Sequence, residues 1–182
     1  AKPYARLTKV VADLAQRKQP GAVTKSLETM WPKLGVSTDT GNLITGATGQ
    51  IAGPIAEGFV TNNEVWCAAR FTDPARKAEL ETLNIKTVAW DMDSGDNSTL
   101  PDDFTHVVHS ALHVSPDYDE SITNNAESSA LLMQHCRKAE AFLHVSSSCV
   151  YKPHAEHPSH ACAENDPLGG LASYAEVYPV IK

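Results

Sequence analysis

The chain has 182 residues, 42% of them hydrophobic, enough to bury a sizeable core in one α/β domain. A formal net charge of -7 and a pI near 5.5 argue against binding to nucleic acid or another polyanion, since basic groups gather only around Arg70, Arg76 and Lys77. No run reaches the ~18 apolar residues of a membrane span. Cys67, Cys136, Cys149 and Cys162 form no C-x-x-C pair and follow no signal peptide, so reduced thiols and a cytoplasmic location are expected.

In chain order, Leu7, Val10, Val11 and Leu14 recur at helical spacing, as do Val23, Leu27, Met30, Trp31 and Leu34. Gln19-Pro20-Gly21 separates the two runs and Gly35 closes the second. The pattern predicts a helical hairpin over residues 1–40, serving as a cap on the main domain or as a subunit contact. Residues 41–182 then alternate. Strands are expected from Leu43 to Thr45, Val65 to Ala69, Thr87 to Trp90, His106 to Ser110 and Phe142 to Ser146. Helices are expected from Ile51 to Thr61, Ala75 to Leu83 and Ile122 to Lys138, with Leu131, Leu132 and Met133 in the core. Asp91 to Asp103 reads as a solvated acidic loop. This alternation predicts an α/β fold, a Rossmann-type doubly wound parallel sheet, with ligands at the carboxyl ends of its strands.

Leu43 to Gly53 is the most informative stretch: a short apolar strand enters a glycine-rich turn, Gly46-x-x-Gly49-x-x-Ala52, and a helix follows. Glycines let the backbone turn tightly, and a new helix offers free N–H groups to a phosphate. The second strand ends in Arg70, about 20 residues on, where an NAD site would place a carboxylate for the ribose. A guanidinium there presents a fork of donors to a 2′-phosphate, so NADP is expected, with Arg76 or Lys77 as a second cation. Near the carboxyl end, Phe142 to Tyr151 forms a strand opening into a serine-rich turn, and Tyr178 and Lys182 stand four residues apart. On one helix face, an ammonium beside a phenol favours the phenolate, while a serine hydroxyl can hold a substrate oxygen.

Together these motifs resemble the extended short-chain dehydrogenase/reductase family, which includes NAD(P)-dependent epimerases, dehydratases and dihydroflavonol-reductase-like enzymes. Thr45 to Ala52 is similar to its T-G-x-x-G-x-x-G, with alanine last. The resemblance implies cofactor contacts from Gly46, Thr48, Gly49, Gln50 and Ile51, from Arg70, from Asp91 and Met92 at the adenine, and from Ser110 and Ala111. Asn125-Ala126-Glu127-Ser128-Ser129 resembles N-V-x-G-T, whose asparagine shapes the helix and a proton-relay water site. Ser146 to Tyr151 resembles S-S-x-x-V-Y, and Tyr178 with Lys182 matches Y-x-x-x-K. By that resemblance Ser147, Tyr178, Lys182 and Asn125 are the catalytic set. Tyr178 exchanges a proton with the substrate oxygen and Ser147 polarises it. Lys182 binds the nicotinamide ribose and lowers the tyrosine pKa.

The resemblance covers about Asn42 to Lys182, and the chain stops where family members continue into a carboxyl-terminal substrate domain; a fragment or a truncated protein is expected. Pro179 suits a helix only if that helix begins near Tyr178. Lys152 replaces the usual glycine after V-Y. Tyr174 has no lysine four residues on, so Tyr178 is preferred. His154, His157, His160 and Cys162 fit no common zinc spacing, and no metal is expected. His109 and His113 flank the end of the fourth strand and are expected to be packed, satisfied histidines, with a contact from one of them to the nicotinamide or substrate as the alternative. The short stretch from Asp117 to Thr123 points to a ketone or aldehyde reductase acting on a small carbonyl or alcohol substrate, with a homodimer as an allowed assembly. A nucleotide-sugar epimerase or dehydratase, and a non-catalytic NADP-sensing module, are the alternatives.

Overall fold

The computed structural model describes residues 41–154, 161–169, 181 and 182. The expected hairpin over 1–40 lies outside the described residues. Five strands are described, β1 (Asn42–Thr45), β2 (Val65–Ala69), β3 (Lys86–Ala89), β4 (His106–His109) and β5 (Ala141–His144), all paired in parallel in the order β3-β2-β1-β4-β5. The chain steps outward from β1 to β3, then returns to lay β4 on the other side of β1. The strand order therefore reverses between β1 and β4, where a doubly wound sheet opens its ligand crevice.

Both faces of the sheet are covered, which explains strands without a polar face. On β1 and β4, Ile44 and Val108 point to one side and Leu43 and Val107 to the other, all essentially inaccessible to solvent. Helix α1 (Ala52–Phe59) covers the first side with Ala52, Ile55, Ala56 and Phe59, a helical stripe, joined by Leu80 of α2 (Pro74–Thr82). The second side holds Leu132 and Cys136 with Trp90, Met92, Leu100 and Phe104. Met92 and Leu100 correct the expectation of a solvated loop from Asp91 to Asp103. A 3₁₀ turn at Met92–Ser94 lays that polar stretch over the core, and Trp90 Nε1 donates to Asn97 Oδ1 at 2.9 Å.

The third expected helix also differs. It begins earlier, at α3 (Tyr118–Ser121), because Asp117 caps it by accepting from the Glu120 N–H at 2.8 Å. It passes through a π-helical turn at Ile122–Glu127 and ends with α4 (Ser128–His135). Leu131 and Met133 are half-exposed, contrary to the core assignment. Three consecutive helical positions, about 100° apart, cannot all face inward, and Leu132 takes the inward place. The remaining boundaries shift by a residue or two.

Candidate functional site

The turn after β1 has the properties of an anion seat. Gly46 has φ +71°, and its N–H donates to Ala68 O at 2.9 Å. A Cβ at Gly46 would lie 2.9 Å from Ala111 N and 3.0 Å from its Cα, so the end of β4 passes too close for any side chain. Gly49 folds back, its N–H donating to Gly46 O at 2.9 Å. Thr48, Gly49, Gln50 and Ile51 are exposed. Helix α1 follows with Ile51 at its N-cap, no side-chain cap and no acid in its first turn. By contrast Asp73 caps α2, Asp91 caps the 3₁₀ turn and Asp117 caps α3. The N-terminus of α1 thus keeps its partial positive charge for an outside group, and a phosphate suits it. Ala52 is buried against the sheet, so a methyl fits where the resemblance has glycine.

Thr45 and His109, at the ends of β1 and β4, lock the two strands together below this turn. Thr45 Oγ1 accepts from the Ser110 and Ala111 N–H groups, both at 3.2 Å, and lies 2.7 Å from His109 Nδ1. With both lone pairs taken, the hydroxyl donates its proton to Nδ1, which fixes the neutral tautomer. His109 Nε2–H then donates to Ser129 Oγ at 2.8 Å. Burial, with smaller contributions from His144 and Lys182, pushes the His109 pKa down to about 3. His109 is a packed and satisfied histidine, as expected. Thr45 as the hub was not foreseen: a threonine ending a strand signals no such role by itself.

At the carboxyl ends of β2 and β3, Arg70 is exposed and its Nη1 lies 3.8 Å from Asp93 Oδ2. Asp91 is exposed and caps the 3₁₀ turn, its Oδ1 accepting from the Asp93 N–H at 3.2 Å, and Met92 is buried beside it. Arg76 and Lys77, expected as a second cation, are already engaged: Arg76 with Glu57 and Glu79, Lys77 with Glu81 at 3.7 Å. The guanidinium of Arg76 lies against Gly53, where an added Cβ would meet Nη2 at 2.6 Å.

Asn125 is buried in the π-helical turn and clamps the loop after β4. Its Oδ1 accepts from the His113 N–H at 2.9 Å, while Nδ2 donates to His113 O at 3.0 Å and to Ser121 O at 2.8 Å. This bonding fixes the amide orientation. A helical turn widened to admit such a clamp is characteristic of functional segments. His113 Nδ1 in turn meets Asp93 Oδ2 at 2.8 Å.

Lys182 is anchored at the end of β5, on Val145 and Ser146, and Ser147 follows directly in the chain. Ser147 caps a 3₁₀ turn, Ser148–Val150, with Oγ accepting from the Cys149 N–H at 3.2 Å. Lys182 Nζ donates to Val145 O at 3.0 Å, and Ser146 Oγ donates to the Lys182 carbonyl at 2.7 Å. Burial lowers the Lys182 pKa, and burial followed by the Lys182 charge lowers that of His144. The Lys182 side chain is therefore fixed on the Val145 carbonyl, two residues before Ser147 in the chain. Tyr178, Tyr174, Pro179, His157 and His160 lie outside the described residues. Lys152, by contrast, is described; its N–H donates to Pro167 O at 2.8 Å. Among the described residues no three groups are arranged to hold a metal ion, and no helix is long and apolar enough to cross a membrane.

A family model described as the NAD-dependent epimerase/dehydratase family matches residues 42–178. The chain belongs to that family. Comparison with curated protein sequences gives no match. Among solved structures the chain is similar to a UDP-N-acetylglucosamine 4-epimerase from Methanobrevibacter ruminantium in complex with UDP-N-acetylmuramic acid. That match has a TM-score of 0.64 and 20% identity over 79% of this chain and 47% of the other. It is also similar to the enzyme WbmG from Bordetella bronchiseptica in complex with NAD, with a TM-score of 0.61 and 19% identity over 78% and 48%. A short-chain dehydrogenase from Salmonella enterica gives a TM-score of 0.55 and 14% identity over 79% and 65%. The chain thus spans about half the length of the first two. These likenesses share the Rossmann-like sheet of the epimerase/dehydratase family.

Proposed function

We propose that this chain is the nucleotide-binding part of an NADP-dependent oxidoreductase of the extended short-chain type. The uncapped N-terminus of α1 behind the Gly46 turn carries the reading, because it leaves a phosphate seat at the strand-order reversal. In this reading Gly46, Thr48, Gly49, Gln50 and Ile51 take the pyrophosphate and Arg70 takes a 2′-phosphate. Asp91 and Met92 border the adenine, and Ser110 and Ala111 line the nicotinamide half. When bound, the dinucleotide supplies or receives the hydride at the substrate carbon. Tyr178 gives the carbonyl oxygen its proton, Ser147 holds that oxygen, and Lys182 keeps the phenol acidic. Asn125 holds the loop after β4 in register with them.

A small ketone or aldehyde is the favoured substrate, and NADPH oxidation over a carbonyl panel tests it. Turnover lost in Tyr178→Phe with nucleotide binding kept supports the reading. Binding without any turnover leaves an NADP-sensing module. Nucleotide-sugar epimerisation or dehydration is a second reading, favoured by the family match, and a tightly retained NAD that does not exchange would select it.

A further inference from the structure

The edge of the site near Arg70 holds a fixed anion that the reading above does not use. Asp93 Oδ2 lies 2.8 Å from His113 Nδ1 and 3.8 Å from Arg70 Nη1, so one carboxylate oxygen faces both. An ionised carboxylate only accepts hydrogen bonds, so His113 Nδ1 carries the hydrogen. His113 is itself held through its backbone, where Asn125 bonds both the N–H and the C=O. Its Nε2 is buried with no hydrogen-bond partner among the described residues, so that nitrogen is not satisfied, contrary to the expectation from the sequence. The Arg70 side chain is 62% exposed, whereas those of Asp93 and His113 are 26% and 18% exposed. The cation at this edge is loose and the anion is anchored.

We infer that Asp93 is a specificity-determining residue of the nucleotide site. Its anchored carboxylate repels a 2′-phosphate that approaches Arg70, and so lowers the preference for phosphorylated nucleotide below what Arg70 alone would give. A 2′-phosphate in contact with Arg70 stands within about 7 Å of Asp93 Oδ2, inside one Debye length at physiological salt. A repulsion of that range, partly screened, is read as about a tenfold change in affinity. His113 is the positioning residue, since it denies the carboxylate a retreat into solvent.

The inference rests on the reading of Arg70 as the 2′-phosphate contact. Calorimetric titration of the chain with adenosine 2′,5′-bisphosphate and with adenosine 5′-monophosphate tests it. Asp93→Asn is expected to tighten the bisphosphate about tenfold and to leave the monophosphate within about twofold. Asp93→Ser provides a second neutral side chain should the first variant fold poorly, and Asp93→Glu, which keeps the charge, should hold the parental ratio. An unchanged ratio in both neutral variants, or equal tightening of both ligands, would overturn the inference. Arg70→Ser separates the two ideas. If it leaves bisphosphate affinity unchanged while Asp93→Asn still raises the ratio, the role of Arg70 fails and that of Asp93 stands.

Discussion

Gly46→Ala separates two demands on one residue. Alanine at φ +71° is strained by about 1–2 kcal/mol. Its Cβ would also meet Ala111 N at 2.9 Å, Ala111 Cα at 3.0 Å and Ser110 C at 3.1 Å, all backbone atoms that cannot rotate away. Relief requires moving the end of β4 off Thr45 Oγ1, an overpacking cost of about 1–3 kcal/mol. The total is about 2–5 kcal/mol, or about 1–2 M in the urea midpoint. Gly95→Ala is the internal control. Gly95 has φ +65°, but its added Cβ meets only Leu131 Cδ1, at 3.5 Å. It should therefore show the backbone strain alone, about 1–2 kcal/mol. Urea titrations of the parent and both variants, followed by tryptophan fluorescence and far-UV circular dichroism, measure the difference. Equal losses in the two variants would refute the argument that the close approach of β4 demands glycine. The same Gly46→Ala variant should lose nucleotide binding, since the displaced backbone lines the turn.

Three further outcomes follow from the buried network. His109 is held neutral with its pKa near 3 while the unfolded chain titrates near 6.5, so the unfolded state binds more protons between those values. The stability is fully present above about pH 6.5 and falls towards pH 3, by about 2 kcal/mol between pH 7 and 5. Ring-nitrogen NMR should find a neutral His109 with Nε2–H at pH 5; an imidazolium at that pH would contradict the tautomer assignment. Thr45→Val removes the hydroxyl from a site where Ser110, Ala111 and His109 all need it, at a cost of about 2–4 kcal/mol. Thr45→Ser should recover most of that in the same denaturation assay, and equal losses would remove the hub. Burial pushes the thiols of Cys67 and Cys136 up to about 12 and about 11. Thiol-reactive reagent in native buffer should therefore label exposed Cys162 first, and reach those two only on unfolding.

The parallel sheet was legible because β1, β2 and β4 carry apolar side chains on both faces, and because a glycine turn marks the end of β1. The Gly46 and Ser147 turns are local in sequence, so their chemistry could be read residue by residue. Three features depended on contacts across the chain. Asn125 bonds a loop twelve residues away, and no periodicity announces the π-helical turn that admits it. Leu131 and Met133 look like core in an apolar triplet, yet only the angular position of Leu132 faces the sheet. Arg76 looked available for a phosphate until Glu57, nineteen residues earlier, proved to be its partner. Asp93 was hidden in an acidic stretch, where one carboxylate cannot be told from its neighbours without the position of His113.

The central claim is a dinucleotide seat at Gly46–Ile51 with Arg70 as its 2′-phosphate contact. Calorimetric titration of the chain with NADPH and with NADH tests it most directly. The account predicts saturable binding of both, tighter for NADPH, with the preference lost in Arg70→Ser. Binding of neither nucleotide, or tighter binding of NADH that is indifferent to Arg70, would contradict it.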